Sequence, residues 1–134
     1  MLSLLPVLII SSDAVFRNRM ADMADKVGLQ PVLCPTLDDA CTMISRQDYP
    51  LVFCGDDLPD ADIRTSLNIL TATAKSTPVI VLSRHAEWDA YLSALNAGAF
   101  DFIAFPPSVK ETERLVSLAL KRSPVSGKSS LVAA

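Results

Sequence analysis

Short runs of apolar residues alternate along the chain with longer segments of mixed polarity. In the run Leu51-Val52-Phe53-Cys54, no polar residues interrupt the apolar ones, so this strand is predicted to be covered on both faces, as in a parallel sheet flanked by helices. Gly55 permits a sharp bend after it, and Pro59 cannot continue a ladder. Five strands are predicted, at residues 7–10, 31–34, 51–54, 78–83 and 102–104.

Capping residues mark the helices between these strands. Asp13 is a predicted N-cap, and Gly28 and Gly98 are predicted to end the first and fourth helices. Thr36 opens a capping box in which aspartate stands in for glutamate, and Ser108 opens a true S-x-x-E box. The five predicted helices cover residues 14–27, about 36–46, 62–74, about 86–97 and 108 to about 122.

Five strand–helix units predict one parallel sheet with right-handed crossovers and helices on both faces. The size and count fit a flavodoxin-like, three-layer α/β fold with strand order 2-1-3-4-5. Pro31 places the second strand at an edge. In this order the switch point lies between strands one and three, where such sheets bind their ligands. The residues predicted around that crevice are Ser11, Ser12, Asp13, Gly55 and Asp56.

Composition narrows the possible functions. A net charge of -3 and a pI near 5.0 argue against nucleic-acid binding, which needs a basic face. The three cysteines, Cys34, Cys41 and Cys54, form no C-x-x-C pair, and the chain has a single histidine, so no zinc site is expected. Buried, reduced thiols in a cytoplasmic protein are the favoured interpretation.

The chain of 134 residues is predicted to form one domain over residues 1–122, followed by a flexible tail over residues 123–134. Residues 1–10 are apolar but lack a basic segment and a cleavage pattern, and they are too few to span a bilayer. They are therefore predicted to contain the first strand, and no membrane partner is expected.

Four segments together resemble the receiver domain of bacterial two-component response regulators, a CheY-like fold, over roughly residues 5–122. Their order and spacing carry the resemblance, which implies a signalling protein that acts on protein partners in trans. The segments are residues 7–13 with Phe16 and Arg17, residues 54–59, residues 78–83 and residues 98–106.

The resemblance also implies that most of the phosphorylation chemistry is missing. The acidic pair that holds Mg²⁺ is replaced by Ser11 and Ser12, the phospho-accepting aspartate by Gly55, and the lysine before the proline after strand five by Phe105. Serine hydroxyls carry no charge to offset the dehydration of Mg²⁺, glycine has no nucleophile, and phenylalanine cannot neutralise a phosphoryl group. We therefore expect a pseudo-receiver with no catalytic residue and no Mg²⁺ cofactor.

Neighbouring acids are the alternative. Asp56 should point away from the crevice, because successive strand residues face opposite sides. Asp57 has the right parity, but the chain is already turning into Pro59 there. A divalent site built from Asp13, Asp56 and Asp57 is therefore less favoured than loop acids in solvent and a helix cap.

The resemblance implies a switch hydroxyl at Ser83 and a switch aromatic at Phe102. The alternatives are a hydroxyl that satisfies local backbone and a static core ring. Trp88 and Tyr91, three residues apart on the fourth helix, are predicted to form an exposed aromatic patch or to pack on strand five. The family's partner face, on the fourth helix, fifth strand and fifth helix, would comprise Trp88, Tyr91, Asp101, Lys110, Glu113 and Arg114.

Three hypotheses follow. The favoured one is a single-domain, non-enzymatic module that signals through a protein partner or a homodimer, independently of aspartyl phosphorylation. The second is a phosphorelay receiver whose acceptor is displaced to Asp56 or Asp57. The third is a flavodoxin-like small-ligand binder, with Ser11 and Ser12 as a phosphate cradle at the start of the first helix.

Overall fold

The computed structural model describes residues 5–74, 76–85 and 87–121, in which strands and helices alternate. The strands are β1 (Leu5–Ile10), β2 (Leu29–Cys34), β3 (Val52–Gly55), β4 (Val79–Ser83) and β5 (Asp101–Ala104). The helices are α1 (Ala14–Lys26), α2 (Leu37–Arg46), α3 (Ile63–Thr73), α4 (Trp88–Asn96) and α5 (Val109–Lys121).

The predicted alternation is confirmed, and the element ends differ from prediction by one or two residues. The predicted helix ends at residues 86 and 122, and the predicted tail at 123–134, lie outside the described residues. Within the described part of the chain, no helix is long and apolar enough to cross a membrane.

The strands form one parallel sheet in the order β2-β1-β3-β4-β5, as predicted. β2 lies at the edge of the sheet and pairs only with β1. An edge strand tolerates Pro31, which has no backbone N–H to donate to a second neighbouring strand. Consecutive residues of β1 serve the two faces: Leu8 and Ile10 pack beneath α2, α3 and α4, whereas Val7 and Ile9 pack against α1 and α5. Because both faces are covered, the inner strands contain almost only apolar residues.

Local capping signals are confirmed. Asp13 accepts hydrogen bonds from the amides of Val15 (2.8 Å) and Phe16 (3.3 Å). Thr36 Oγ1 accepts from the Asp39 amide, and Ser108 Oγ accepts from the Glu111 amide. These side chains satisfy helix amides that have no partner within the helix. Each amide lies only two or three residues from its cap, so the caps can be predicted from the sequence.

A further cap of α2 comes from a distant loop. The carboxylate of Asp60, in the connection between β3 and α3, accepts hydrogen bonds from the amides of Leu37 (3.2 Å) and Asp38 (3.1 Å). Partial desolvation opposes ionisation of Asp60, but the two amides outweigh it, so the pKa of Asp60 lies below its usual value. The start of α2 is therefore completed by the loop that follows β3.

We expect Asp60→Ala to lower the free energy of unfolding at pH 7 by about 1 kcal/mol, as loss of a helix cap does. Because the folded-state pKa is depressed, this stabilisation is present above the unfolded pKa of about 3.9 and is lost as pH falls through the folded value. Urea unfolding followed by circular dichroism should thus show the difference from wild type at pH 7 and a smaller one near pH 3. Asp48→Ala, an exposed carboxylate between α2 and β3, is the control. Equal losses in both variants would contradict the cap.

Candidate functional site

The carboxyl ends of the central strands meet at one edge of the sheet, and the place there where the residues after β1, β3 and β5 meet is called the crevice. It is lined by Ser11, Gly55, Asp57, Phe16 and Phe105. Ser11 follows β1, Gly55 ends β3, and Phe105 follows β5, so residues far apart in sequence converge through the parallel topology. Of the residues predicted around the crevice, the structure brings Ser11 and Gly55 together through their common neighbour Asp57.

Asp57 fills the space beside Gly55. The buried hydroxyl of Ser11 donates to its carboxylate, 3.2 Å from Oδ1 and 3.1 Å from Oδ2. The Ser12 hydroxyl donates to the Asp57 backbone carbonyl at 3.0 Å. A Cβ placed on Gly55 would lie 2.7 Å from Asp57 Oδ1, which is closer than carbon and oxygen tolerate. The family resemblance places the phospho-accepting side chain at position 55. Here the side chain of the nearby Asp57 occupies part of that space.

The two other candidate acids behave differently. The side chain of Asp56 is exposed, in line with the parity argument. Asp57 is half-buried and hydrogen-bonded, so the interpretation of Asp57 as a loop acid in solvent is wrong. The turn at Pro59 does not carry Asp57 away from the crevice, because Ser11 and Ser12 hold both its carboxylate and its carbonyl.

Two aromatic rings replace the charged part of the crevice. Phe105 stacks on Phe16 of α1, with ring centroids 4.3 Å apart and an interplanar angle of 23°. Phe16 Cζ would lie 3.4 Å from a Cβ on Gly55, so the stack forms one wall of the crevice. The Phe105–Pro106 peptide bond is cis. An apolar wall therefore stands where the family resemblance places a lysine.

Arg84, the residue directly after β4, lies over this aromatic wall. Its Cζ is 5.1 Å from the ring centroid of Phe105 and 5.7 Å from that of Phe16. Its Nη2 lies 2.9 Å from Oδ2 of Asp13, the N-cap of α1. The pKa of Asp13 is lowered, first by the Phe16 amide, against partial desolvation, and then by the Val15 amide and Arg84. Sequence reasoning missed Arg84, although its position after β4 puts it at the same sheet edge as Asp13.

Ser83 ends β4 and Phe102 lies on the neighbouring strand β5. The buried hydroxyl of Ser83 accepts a hydrogen bond from the His85 amide at 2.9 Å. Phe102 is 5% exposed, and its ring meets Tyr91 edge-on at 6.3 Å. Tyr91 in turn stacks on Trp88 at 5.4 Å, and Trp88 is 69% exposed. The three rings form a continuous row from the core of the sheet to the surface of α4.

The donors in the crevice do not fit Mg²⁺. This ion requires several charged oxygen ligands in near-octahedral array. Here Ser11 and Ser12 are neutral, Asp57 is engaged by Ser11, and Asp13 is paired with Arg84. Among the residues that the structure describes, no three acidic, histidine or cysteine side chains are grouped so that they could hold a metal ion.

Two of the three thiols, Cys34 and Cys54, are buried as predicted, whereas Cys41 is half-buried. Burial raises the pKa of Cys34 to about 12, and burial likewise raises the pKa of Cys54, which lies on β3 next to Gly55. Because only a thiolate is an effective nucleophile, neither group is suited to covalent chemistry. The Cys54 thiol donates instead to the Gly55 carbonyl at 3.3 Å.

The strand order, the two helical layers and the crevice at the carboxyl edge define a CheY-like domain of the flavodoxin-like α/β class. The family model of the response regulator receiver domain matches residues 7–116, and the chain belongs to that family. It is thus a receiver domain of two-component signalling.

Curated relatives support this assignment. The chain is 23% identical over 117 residues to the two-component response regulator PhoP of Pseudomonas aeruginosa, covering 87% of this chain and 52% of that protein. It is 29% identical over 92 residues to the DNA-binding transcriptional regulator NtrC of Proteus hauseri, covering 66% of this chain and 20% of that protein. The chain therefore spans between a fifth and about half of the length of these relatives.

Solved structures share the fold. A two-component response regulator from Clostridium difficile superposes with a TM-score of 0.80 at 23% identity, covering 88% of this chain and 97% of that chain. The beryllofluoride-activated NtrC4 receiver domain dimer gives a TM-score of 0.80 at 22% identity, covering 87% and 96%.

We expect Gly55→Ala to destabilise the protein by about 1 kcal/mol, because the new methyl group displaces Asp57 from Ser11 and a hydrogen bond to a charged group is lost. In an Asp57→Ala background the same change should be neutral or slightly stabilising, since alanine loses less backbone entropy on folding than glycine. A double-mutant cycle from urea unfolding should give a coupling of about 1 kcal/mol.

The matched control for this cycle is Asp56→Ala, which removes an exposed neighbouring carboxylate and should show no coupling to Gly55→Ala. If Gly55→Ala had the same cost with and without Asp57, the carboxylate would not be what fills the space beside Gly55.

Proposed function

We propose that this receiver domain signals through protein contacts and does not depend on aspartyl phosphorylation. The observation that carries the proposal is the occupied crevice: the Asp57 carboxylate, held by Ser11, lies where a side chain on Gly55 would begin. The domain is on this proposal a non-enzymatic pseudo-receiver without a Mg²⁺ cofactor. A cytoplasmic setting, expected from its reduced thiols, stays a prediction.

The chemistry of phosphoryl transfer supports the proposal. Transfer needs a nucleophile in line with the donor and positive charge on the phosphoryl oxygens. Gly55 offers no nucleophile, and Phe105 offers no charge. The guanidinium of Arg84 is close by, but Asp13 already neutralises it at 2.9 Å.

A displaced acceptor is the second candidate, and one observation favours Asp57 over Asp56 for it. The Asp57 carboxylate already lies inside the crevice, whereas Asp56 is exposed. Against it stand the hydrogen bond from Ser11 and the absence of a carboxylate pair at Ser11 and Ser12 for a metal. A phosphorelay role would therefore require Asp57 to act without the metal that the family uses.

We expect no phosphorylation when the protein is incubated with Mg²⁺ and acetyl phosphate and its intact mass is measured. Gly55 supplies no nucleophile, Ser11 and Ser12 supply no charged metal ligands, and Phe105 supplies no positive charge. Amide NMR signals of Asp13, Gly55, Asp57 and Ser83 should also stay unchanged on addition of Mg²⁺ and beryllofluoride. A phosphorylatable receiver treated in parallel is the positive control.

A gain of one phosphoryl group would contradict the proposal. If Asp57→Asn then abolished the gain while Asp56→Asn did not, the displaced-acceptor function would replace it. Loss in Asp56→Asn alone would instead assign the acceptor to the exposed residue.

The partner surface of the proposal is the face of α4, β5 and α5. Trp88 on α4 is 69% exposed, and Leu92 on α4 (40%) and Leu118 on α5 (43%) are also exposed for apolar residues. The same strand and helices also carry the charged residues Asp101, Lys110, Glu113 and Arg114, and the proposed interface combines these with the exposed apolar side chains. The NtrC4 receiver domain was solved as a dimer, and a homodimer is the form proposed here. The residues of this face are Trp88, Tyr91, Asp101, Lys110, Glu113 and Arg114.

We expect Trp88→Ala to weaken homodimerisation about 30-fold, the effect of removing an interface hot spot worth about 2 kcal/mol. Sedimentation velocity over a concentration series measures the dissociation constant. Val15→Ala, which truncates a 61% exposed residue on α1, is the control and should leave it unchanged. A wild-type protein that stays monomeric throughout would exclude the homodimer and leave a partner in trans.

A further inference from the structure

Arg84 connects two parts of the chain that the sheet alone does not join. It opens the connection between β4 and α4, and its guanidinium pairs with Asp13 at the start of α1. The two side chains are 41% and 35% exposed. An isolated ion pair at this exposure contributes little, so its importance depends on what else holds the guanidinium.

The aromatic wall of the crevice is that second contact. The guanidinium lies over Phe105 and Phe16, at 5.1 Å and 5.7 Å from their centroids, within the range of cation–π attraction. The planar, weakly hydrated guanidinium suits such a surface better than an ammonium group does. Arg84 is thus held from one side by a carboxylate and from below by two stacked rings.

The connection that begins at Arg84 leads directly to α4. The His85 amide donates to Ser83 Oγ, and the Glu87 amide donates to the His85 carbonyl, both at 2.9 Å. α4 then starts at Trp88, and its N-cap residue Glu87 makes no side-chain capping bond. A helix start without its own cap depends on the preceding connection for its position.

We propose that Arg84 is a positioning residue that clamps the connection between β4 and α4 to the start of α1, and so fixes where Trp88 lies. The clamp places a guanidinium above Phe105. It comes from the residue after β4, whereas the family resemblance places a lysine after β5. Its use in signalling rests on the proposed function, because Trp88 belongs to the partner surface proposed there.

Three variants separate the contacts of the clamp. Arg84→Gln removes the charge and keeps most of the length, and Asp13→Asn removes the ion pair while asparagine still caps α1. Arg84→Lys keeps the charge but not the planar contact with the rings. Arg64→Gln, at an exposed arginine of α3, is the matched control. Trp88 is the only tryptophan of the chain, so its indole N–H NMR signal and its fluorescence report on α4 alone.

We expect Arg84→Gln to shift the Trp88 indole signal and to make the His85 and Glu87 amides exchange with solvent about tenfold faster, through local opening of the connection. Asp13→Asn should shift the signal in the same direction by less, because the ring contact survives. Arg84→Lys should lie between wild type and Arg84→Gln, and Arg64→Gln should match wild type. In about 1 M salt, where screening acts over about 3 Å, wild type should approach Asp13→Asn.

An unchanged Trp88 signal and unchanged exchange in both Arg84→Gln and Asp13→Asn would overturn the clamp. Asp13→Asn keeps the test decisive if Arg84→Gln does not fold. All these measurements are made without phosphoryl donors or partners. Phosphorylation of Asp57 would therefore refute the proposed function without changing the result for Arg84. An indole signal of Trp88 that does not shift in the Arg84 and Asp13 variants would refute only the clamp.

Discussion

Two-sided burial of a five-stranded parallel sheet is the constraint on which the rest of this structure depends. Because α1 and α5 cover one face and α2, α3 and α4 the other, the inner strands are buried along almost their whole length and contain few polar side chains. Polar groups are confined to the ends of the strands. Because all strands are parallel, the residues that follow β1, β3, β4 and β5 lie at one edge of the sheet. This placement depends on the fold and not on which side chains stand there.

At that edge the chain fills its own crevice. Asp57 occupies the space beside Gly55, Phe105 packs on Phe16, and Arg84 is neutralised by Asp13. Among the described residues, every buried side-chain nitrogen and oxygen has a hydrogen-bond partner, so the loss of the family's charged groups has left no buried polar atom unpaired there. This edge of the sheet is thus a packed junction between loops.

The sequence predicts the parts of this molecule that depend on local chemistry. The apolar runs of β1 and β4 indicate buried strands, and Asp13 and Ser108 cap helices whose amides lie two or three residues away. Contacts between loops could not be predicted from the sequence. Asp57 meets Ser11 across 46 residues of sequence, and its direction depends on hydroxyl donors that no periodicity reveals. Arg84 carried a usable signal in its place after β4, but its partners follow only from the three-dimensional edge.

The carboxylate of Asp60 makes the order of assembly of this domain less local than its alternating pattern suggests. α2 has ten residues, too few to be stable alone in water, and two of its first amides wait for a residue 23 positions later in the chain. These amides are satisfied by Asp60 only when the loop after β3 lies against the start of α2. Folding of the second and third strand–helix units is therefore coupled, and we infer that they form and open as one cooperative unit rather than one after the other.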